Sequence, residues 1–343
     1  MISGTMKKRI RRNTEKARTN QSEGCQICRK GAKMVLFITG CCERTCWYCP
    51  LSRERKGIDV TYANEHPVTS PDEAIQVSLR MSALGTGITG GEPLLEPERV
   101  IEYCKRLKQE FGEGHHIHLY TGTAPDRDML TSLKGLVDEI RLHPPEEEWP
   151  DFLSGAYAES VKTAREMGFA IGVEVPALPS VGDLGPALEI LDFLNINELE
   201  WGDTNAEGMR DRGYTLEDGY HNAVAGARDW AFHISRDEKV HFCSSSFKDS
   251  VQLRKRLIRI AKNTARPFDH VTRDGTIIYG NLVPAGADAA WVKDLSPSVH
   301  TDFGDHIELS WKVLKRQAEV LTGECSIIER YPDRGMIVEV TPL

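Results

Sequence analysis

The chain has 343 residues, of which 40% are hydrophobic and 27% are charged. These values are ordinary for a globular protein, exclude wholesale disorder, and at this length suggest one or two domains. No hydrophobic run approaches the roughly 18 residues of a membrane span, and none resembles a signal peptide. The sequence therefore predicts a soluble, cytoplasmic protein with no membrane partner.

Charge is unevenly distributed along the chain. The net charge is −8, yet residues 1–30 contain nine Lys or Arg and only two Glu, which gives this segment a charge of +7. The remainder of the chain therefore carries −15. A basic arm of this kind is suited to RNA or another acidic partner, although a solvated, mobile terminus is the preferred interpretation.

The cysteines are too few for a secreted disulfide scaffold. Without a secretion signal their thiols should stay reduced, so clustered cysteines indicate metal ligation or redox chemistry. Four of the nine fall close together, and the full set is Cys25, Cys28, Cys41, Cys42, Cys46, Cys49, Cys104, Cys243 and Cys325.

The first predicted strand, Lys33–Thr39, is a short apolar run that leads directly into the cysteine-rich loop. A helix begins at Ser70, whose side chain is expected to cap it, and ends before Gly85. Strand–helix alternation with short loops then requires a parallel sheet with right-handed crossovers, as in a barrel or a doubly wound sheet. Further strands are predicted at Thr86–Thr89, His116–Tyr120, Asp138–Leu142, Phe169–Val175, Glu198–Trp201 and Lys239–Phe242, and further helices near Pro97–Phe111, Asp126–Lys134, Trp149–Met167, Leu184–Leu194 and 217–233.

The last hundred residues change character. Residues 247–266 predict a long basic helix, and the sequence beyond Pro267 consists of short β-like runs. Asp274-Gly275 is typical of a turn, and residues 332–335 are typical of a hairpin loop. The predicted organisation is a basic arm with a Cys-x2-Cys pair at 1–32, a barrel at 33–245, and a basic helix with a small, mostly β C-terminal domain at 246–343.

The cysteine-rich loop after the first strand allows three metal sites. Zinc sites usually draw two Cys/His pairs separated by a dozen or more residues, which this single loop does not provide. Read from Cys41, the spacing C-x4-C-x2-C matches a plant-type two-iron cluster that lacks only a distant fourth cysteine. Read from Cys42, the spacing C-x3-C-x2-C, through Cys46 and Cys49, leaves one iron of a [4Fe–4S] cube open for a ligand. Spacing alone does not choose between these two clusters.

The context of this loop favours the open cube. The loop lies at the carboxyl end of the first predicted strand, where barrel active sites are found. The second predicted strand ends in Gly90-Gly91-Glu92-Pro93, and its glycines expose backbone groups and permit a ligand to approach closely. The two motifs are one strand–helix unit apart, so they are expected to face the same end of the barrel.

The combination of Cys42-x3-Cys46-x-Tyr48-Cys49 with Gly90-Gly91-Glu92-Pro93 resembles the radical S-adenosylmethionine (SAM) superfamily. The resemblance covers about residues 33–245. It implies an α/β fold, a partial (β/α)6 barrel, with the small, mostly β domain following it. It also implies a [4Fe–4S] cluster held by Cys42, Cys46 and Cys49, and SAM bound at the remaining iron.

In that family one electron from the reduced cluster cleaves SAM, and the resulting 5′-deoxyadenosyl radical takes a hydrogen atom from the substrate. The resemblance therefore implies an external electron donor of the ferredoxin or flavodoxin type. It implies that residues 90–93 (Gly90, Gly91, Glu92 and Pro93) support the methionine amino group of SAM. It also implies that Tyr48 packs near the adenine.

Further SAM contacts are expected from positions at predicted strand ends. Thr121 ends the third strand and is a candidate for the SAM carboxylate, and His143 ends the fourth and is a candidate for a ribose hydroxyl. Glu174 lies on the fifth strand, and residues 201–203 end the sixth. Each of these side chains is alternatively a rim residue satisfied by local backbone groups.

The remaining cysteines have weaker assignments. Cys25 and Cys28 precede the first strand, so they are expected at the opposite end of the barrel, about 23 Å from the cluster. They are either a second metal site, with Cys243 or Cys325, or buried thiols. Cys104 lies within a helix and is expected in the core. Cys243 ends the last barrel strand and is predicted to be a catalytic residue that faces the active site.

The whole pattern resembles an archaeal-type subgroup related to the glycyl-radical (pyruvate formate-lyase) activating enzymes. The resemblance rests on the early Cys-x2-Cys pair, on the Cys49-Pro50-Leu51-Ser52 run, and on the segment from Cys243-Ser244-Ser245 to Lys248-Asp249. Three functions remain open at this point. They are modification of a protein side chain, including the cobalamin-dependent C-methylation of methanogenic archaea; tRNA modification; and non-catalytic iron–sulfur or zinc binding to RNA or another partner.

Charge favours the first of these functions. The charge of −15 outside the basic arm disfavours a broad surface that tracks phosphates. A protein or peptide substrate is therefore the preferred prediction. Cobalamin would have to bind through the C-terminal domain, because only about 33 residues precede the first strand.

Overall fold

The computed structural model describes residues 21–343, so most of the predicted basic arm lies outside the described residues. The chain divides into two compact units. Within the described range, the first contains residues 21–29, 33–78 and 83–250, and the second contains residues 30–32, 79–82 and 251–343. No helix in the described range is long and apolar enough to cross a membrane.

The first unit is built on one sheet, which contains nine strands in the described part of the chain. Their order is β3-β2-β1-β4-β5-β6-β7-β8-β9. The neighbouring pairs from β1 through β4 to β9 are parallel, whereas β2 pairs antiparallel with both β1 and β3. The strands are β1 Lys33–Phe37, β2 Tyr62–Ala63, β3 His66–Pro67, β4 Gly85–Thr89, β5 His116–Thr121, β6 Glu139–Leu142, β7 Ala170–Pro176, β8 Phe193–Asn197 and β9 Val240–Cys243.

Helices connect the parallel strands, as the alternating sequence pattern predicts. Helix α3 illustrates the local logic, because Pro97 starts it and Gly112, at a φ of 78°, ends it. The helices of this unit are α1 Glu23–Arg29, α2 Pro71–Arg80, α3 Pro97–Phe111, α4 Arg127–Leu133, α5 Ala156–Glu166, α6 Ala206–Asp211, α7 Ala227–Ala231 and α8 Ser245–Phe247, with short 3₁₀ turns at Pro93–Leu95, Glu146–Glu148, Phe152–Ser154, Val181–Leu184, Pro186–Glu189 and Ile234–Arg236.

One strand was predicted in the wrong place. The sixth parallel strand is Phe193–Asn197 and not Glu198–Trp201, and two 3₁₀ turns replace the predicted helix at Leu184–Leu194. Leu188, Leu191 and Leu194 have a spacing that fits a helix, but Leu194 also alternates with its neighbours as a strand residue. The observed strand begins at Phe193, inside the predicted helix, and only short 3₁₀ turns precede it.

The two faces of this sheet differ in chemistry. One face carries fully buried apolar side chains, as expected for a sheet covered by helices: Leu36, Ile88, Leu119, Ile140, Val173 and Ile196. The opposite face, inside the barrel, carries polar side chains: Lys33, His118, Tyr120, Glu139, Arg141, Glu174 and Asn195. The interior of this barrel is therefore a polar layer below the carboxyl ends of the strands.

Helix α1 closes part of this interior. The Gly24 amide donates to Glu139 at 3.1 Å, and a Cβ at Gly24 would lie 2.6 Å from Nδ1 of His118. The Sγ atom of Cys25 is 3.6 Å from Nη2 of Arg141. Cys25 therefore contacts a side chain of the barrel interior, and the predicted distance of the Cys25–Cys28 pair from the cluster stays a prediction.

The second unit is mostly β. In the described range its strands form a sheet in the order β12-β13-β11-β14-β15, with β10 paired to β11. The predicted hairpin around residues 332–335 and the turn at Asp274-Gly275 are both present as antiparallel pairs. A π-helical segment, Lys248–Leu253, begins in the first unit and leads into the second. The elements of the second unit are α9 Arg254–Thr264, β10 His270–Val271, β11 Ile277–Val283, α10 Asp288–Lys293, β12 His300–Asp302, β13 Ile307–Leu309, α11 Trp311–Gln317, β14 Glu324–Arg330 and β15 Ile337–Pro342.

The predicted fold class is confirmed. The first unit is an open α/β barrel, since β9 pairs only with β8 among the described strands. The second is a small, mostly antiparallel β domain with its own apolar core, in which Leu282, Leu309 and Leu314 are fully buried.

Candidate active site

A cavity of about 490 Å³ opens at the carboxyl ends of the parallel strands in the first unit. This is the end at which barrel proteins place their active sites. It is large enough for a small molecule to be mostly buried. Its lining combines the predicted cluster cysteines, the glycine-rich segment and the strand-end residues: Cys42, Cys46, Tyr48, Cys49, Gly90, Gly91, Glu92, Pro93, Thr121, His143 and Glu174.

The cavity distinguishes Cys41 from Cys42. Cys42, Cys46 and Cys49 line the cavity, whereas Cys41 is absent from the described lining and its thiol points to the carbonyl oxygen of Gly57 at 3.9 Å. This placement favours the C-x3-C-x2-C spacing over C-x4-C-x2-C.

The donor set fits an iron–sulfur cube better than a single ion. Three thiols on one cavity wall are soft ligands of the kind that iron–sulfur clusters use. In the described part of the chain, no group of three or more His, Cys, Asp or Glu side chains is arranged to hold one metal ion. Thiolates that bind three different irons of a cube need not converge on one point, so this finding is compatible with Cys42, Cys46 and Cys49 as cluster ligands. It gives no support to a second metal at Cys25 and Cys28.

The glycines of residues 90–93 allow two loops to meet. The Gly91 amide donates to the Thr39 carbonyl at 2.7 Å, and the Glu92 amide donates to the Cys41 carbonyl at 2.8 Å. A Cβ at Gly91 would lie 2.3 Å from the Cys41 oxygen, and one at Gly90 would lie 2.5 Å from the Thr39 oxygen. These glycines therefore make room for the cysteine loop. Because residues 90–93 also line the cavity, their expected contact with a ligand stays a prediction.

Glu92 ties the second loop to the third. Its buried carboxylate accepts hydrogen bonds from the Thr121 hydroxyl at 2.8 Å and from the amides of Gly122 at 2.7 Å, Thr123 at 3.2 Å and Leu94 at 3.0 Å. Thr121 thus lines the cavity as predicted, but its hydroxyl already serves Glu92. It is poorly placed to donate to a SAM carboxylate.

Two hydrogen bonds along the cavity wall link Tyr48 to His143 and His143 to the backbone of Glu174. Nδ1 of His143 is 2.8 Å from the Glu174 carbonyl, so this nitrogen must carry the proton. Nε2 is then the acceptor for the Tyr48 hydroxyl at 3.1 Å. Burial also lowers the pKa of His143, which keeps the ring neutral. Because both ring nitrogens are engaged, His143 orients Tyr48, and a ribose contact would have to displace one of these bonds.

Glu174 presents an anchored carboxylate. Arg141 donates to it at 2.6 Å, and the amides of Asn195 and Asn197 donate at 3.0 Å and 2.8 Å. Burial alone would raise the pKa of Glu174, but the Arg141 guanidinium and the two amides bring the pKa below its ordinary value. The carboxylate is therefore charged and fixed in orientation.

Residues 201–203 belong to a loop that supports the cysteine loop, and not to a strand end. The Gly202 amide donates to Asn205, which in turn donates to the carbonyl of Tyr48 at 3.1 Å. Thr204 donates to the carbonyl of Cys49 at 3.0 Å. A Cβ at Gly208 would lie 2.9 Å from the Trp47 carbonyl, so helix α6 packs closely on the loop.

Several cavity residues were missed from the sequence. Lys248 donates to Glu200 at 2.7 Å, and both line the cavity. Lys248 lies in the segment from Cys243 to Asp249 on which the family resemblance rests, but no role was predicted for it. Glu200 lies in residues 198–201, which were predicted to form a strand, so it was not considered as a site residue. Arg44 also lines the cavity. No ligand contact was predicted for it, because it lies between two cluster cysteines whose spacing alone was interpreted.

Cys243 does not reach the described cavity wall. It is the last residue of β9, but its thiol is absent from the lining, and burial raises its pKa to about 12. A thiol with this pKa is protonated near neutrality. The catalytic role predicted for Cys243 gains no support from this placement and stays a prediction.

Family comparisons agree with the site. A family model described as a 4Fe-4S single cluster domain matches residues 29–142, and one described as a domain of unknown function matches residues 275–343. A protein of Methanocaldococcus jannaschii, named "Putative glycyl-radical enzyme activating enzyme", is 40% identical over 279 residues. That alignment covers 76% of this chain and 73% of the relative.

Two solved structures share a more distant likeness. "Native anSMEcpe with bound AdoMet" has a TM-score of 0.39 and 12% identity, over 71% of this chain and 73% of that chain. "Native anSMEcpe with bound AdoMet and Cp18Cys peptide" has a TM-score of 0.36 and 12% identity, over 56% and 54% of the two chains. Likeness at this level carries no argument about ligands or substrates.

Proposed function

Because the chain belongs to the radical SAM superfamily, in the branch related to glycyl-radical enzyme activating enzymes, we propose that its cavity uses a [4Fe–4S] cluster and SAM to functionalise an unreactive C–H bond of a protein. The observation that carries this proposal is that Cys42, Cys46 and Cys49 line one cavity that residues 90–93 also line. The family membership gives no support to the non-catalytic alternative.

The cofactors supply the hard chemistry and the chain supplies orientation. When bound, they provide one electron that cleaves the S–C5′ bond of SAM to methionine and a 5′-deoxyadenosyl radical, which becomes 5′-deoxyadenosine by taking a hydrogen atom from the substrate. In this proposal Cys42, Cys46 and Cys49 hold the cluster. Tyr48 packs near the adenine in the orientation that His143 fixes, and residues 90–93 support the methionine moiety.

The interior residues have a second task, which is to keep the reaction away from water. Helix α1 packs into the barrel interior, and the polar side chains there bond to one another. Exclusion of solvent protects a reactive intermediate from unwanted hydrogen donors. The charged Glu174 carboxylate, held by Arg141 and two Asn amides, gives this part of the cavity a fixed acceptor for a hydroxyl or amide of the ligand or substrate.

Two observations support a protein substrate. The curated relative is named for activating an enzyme, and therefore for acting on a protein. In addition, two cations of the basic C-terminal region, Arg259 in α9 and Arg266 just after it, are already used within the second unit. Arg259 donates to the Met81 carbonyl at 2.9 Å, and Arg266 donates to Asp269 at 2.8 Å. These contacts reduce the basic surface that tRNA would require.

The first experiment tests the reaction type. Protein reconstituted anaerobically with iron and sulfide is mixed with dithionite and SAM, and 5′-deoxyadenosine and methionine are quantified by mass spectrometry. The proposal expects both products in equal amounts from reduced, cluster-loaded protein and none from unreduced protein. Cluster-loaded, reduced protein that forms no 5′-deoxyadenosine under any substrate condition would contradict it.

The second experiment tests the substrate class. The organism that carries this chain is grown in deuterated medium, and its protein and RNA fractions are offered separately as substrates. We expect deuterium in 5′-deoxyadenosine with the protein fraction, and no deuterium after that fraction is digested with protease. Deuterium transfer from the RNA fraction alone would support tRNA modification instead. Cobalamin-dependent C-methylation, the narrower option from the sequence, would add S-adenosylhomocysteine to the products only when cobalamin is present.

A further inference from the structure

Arg44 carries a buried hydrogen-bond donor that no described residue satisfies. Its Nη1 atom is shielded from solvent and lacks a partner in the described part of the chain, although the residue lines the cavity. Buried donors are nearly always paired, and a charged one is especially costly to leave unpaired. An unpaired guanidinium nitrogen in a cavity wall therefore indicates a missing anionic ligand.

The rest of the Arg44 side chain is held firmly. Its Nη2 atom donates to the Tyr157 hydroxyl at 2.6 Å, and that hydroxyl donates to the Gly122 carbonyl. A Cβ at Gly122 would lie 3.3 Å from both Nε of Arg44 and Oε2 of Glu92. The guanidinium thus lies between the cysteine loop and the loop after β5, next to the segment that residues 90–93 form.

Two other candidate donors of the cavity are engaged, and a third, Lys56, is exposed to solvent. The Thr121 hydroxyl bonds to Glu92, and the Lys248 ammonium pairs with Glu200. Arg44 therefore remains as the cation of the described cavity lining that has a buried, unpaired N–H and an anchored side chain. We infer that Nη1 of Arg44 binds the carboxylate of SAM, with Tyr157 as the residue that positions it. This inference rests on the proposed function, because it requires SAM in the cavity.

The test removes the Arg44 guanidinium from the protein and, separately, the carboxylate from SAM. Equilibrium binding of SAM and of decarboxylated SAM is measured on oxidised, cluster-loaded protein, which cannot cleave either compound. Wild-type protein should prefer SAM. Arg44→Gln should bind SAM roughly tenfold to a hundredfold more weakly, the range expected for a charged hydrogen bond, and should bind decarboxylated SAM almost unchanged.

Control variants separate this effect from damage to the fold. Arg127→Gln removes a surface cation that pairs with Glu166, and it should leave both affinities unchanged. Tyr157→Phe keeps the guanidinium but removes its anchor, so it should lower the preference for SAM by a smaller factor. Iron content is measured for every variant. If Arg44→Gln does not retain the cluster, the preference is read from Arg44→Lys and Tyr157→Phe.

The outcomes are distinct. Loss of affinity for SAM alone in Arg44→Gln supports the inference. Equal loss for SAM and decarboxylated SAM, with the cluster retained, overturns it and assigns Arg44 to the shape of the loop. A wild-type protein that binds neither compound overturns the proposed function and this inference together.

Discussion

The carboxyl-end edge of the large sheet and the interior of the barrel are both polar, but they are built in different ways. At the edge, neighbouring loops meet through backbone hydrogen bonds, such as Gly91 to Thr39 and Glu92 to Cys41. In the interior, one buried guanidinium binds side chains from its own strand and from distant elements. Arg141 donates to Glu139 at 2.6 Å, to Tyr120 at 2.9 Å, to Glu174 at 2.6 Å and to Ser22 at 3.0 Å.

This difference determines which substitutions disrupt each kind of polar site. A site made of loop backbones depends on the absence of side chains at a few glycines, so a single methyl group can separate the loops. A site made around one cation depends on that cation, because its removal leaves several buried acceptors and charges without a partner. Changes at the edge should therefore affect cofactor binding first, whereas changes in the interior should affect stability first.

The largest effect is expected at the edge, where Cys42→Ala should abolish the cluster and the formation of 5′-deoxyadenosine. Cys41→Ala should leave iron content and activity near the wild-type level, because the Cys41 thiol faces Gly57 and not the cavity. Iron, acid-labile sulfide and 5′-deoxyadenosine are measured for both variants. The opposite pattern, with the cluster lost only in Cys41→Ala, would establish the C-x4-C-x2-C spacing.

Arg141→Met tests the interior. It removes the cation that holds the buried Glu139 and the largely buried Glu174, and breaking such a network costs about 3–5 kcal/mol. Arg127→Met is the matched control, because Arg127 is 62% exposed and its pair with Glu166 should contribute less than about 1 kcal/mol. Free energies of unfolding from denaturant titrations give the comparison. Equal stability of the two variants would show that the interior network adds no more than a surface pair.

Gly91→Ala tests the contact between the two loops. Its Cβ would lie 2.3 Å from the Cys41 oxygen, so the loops must separate, at a cost of about 1–3 kcal/mol. We expect reduced iron content after reconstitution and weaker SAM binding. Gly182→Ala is the control, since a Cβ there meets nothing within 4 Å. If Gly91→Ala kept full iron content and SAM affinity, the close approach of the loops would not matter for the cluster.

The smallest effect is expected for the double variant Cys25→Ser/Cys28→Ser. No described group of side chains around these thiols is arranged to hold a metal ion, and a serine hydroxyl can replace the weak contact from Cys25 to Arg141. Iron and zinc contents should therefore match those of wild-type protein, as measured by elemental analysis. Loss of zinc, or of iron beyond the four atoms of one cube, would show that the pair binds a metal.

The sequence by itself determined the features that depend on short spacings. The cluster motif, the glycine-rich motif one strand–helix unit later, the strand–helix alternation and the C-terminal hairpin are all local patterns, and each was recognised without a structure. Side-chain periodicity and turn chemistry act over a few residues, so these features are written into the order of the residues.

The tertiary structure decided which groups are still free to act. Thr121 and His143 were predicted at the cavity and lie there, but Glu92, 29 residues away, and Tyr48, 95 residues away, occupy their hydrogen-bonding groups. Only the hydrogen bonds of the folded chain show that one donor of Arg44 remains free among the described residues. The number of hydrogen bonds that one polar group can form is fixed by its chemistry, but its partners come from strands and loops far apart in the chain. Their competition is therefore resolved only when the sheet brings the loops together.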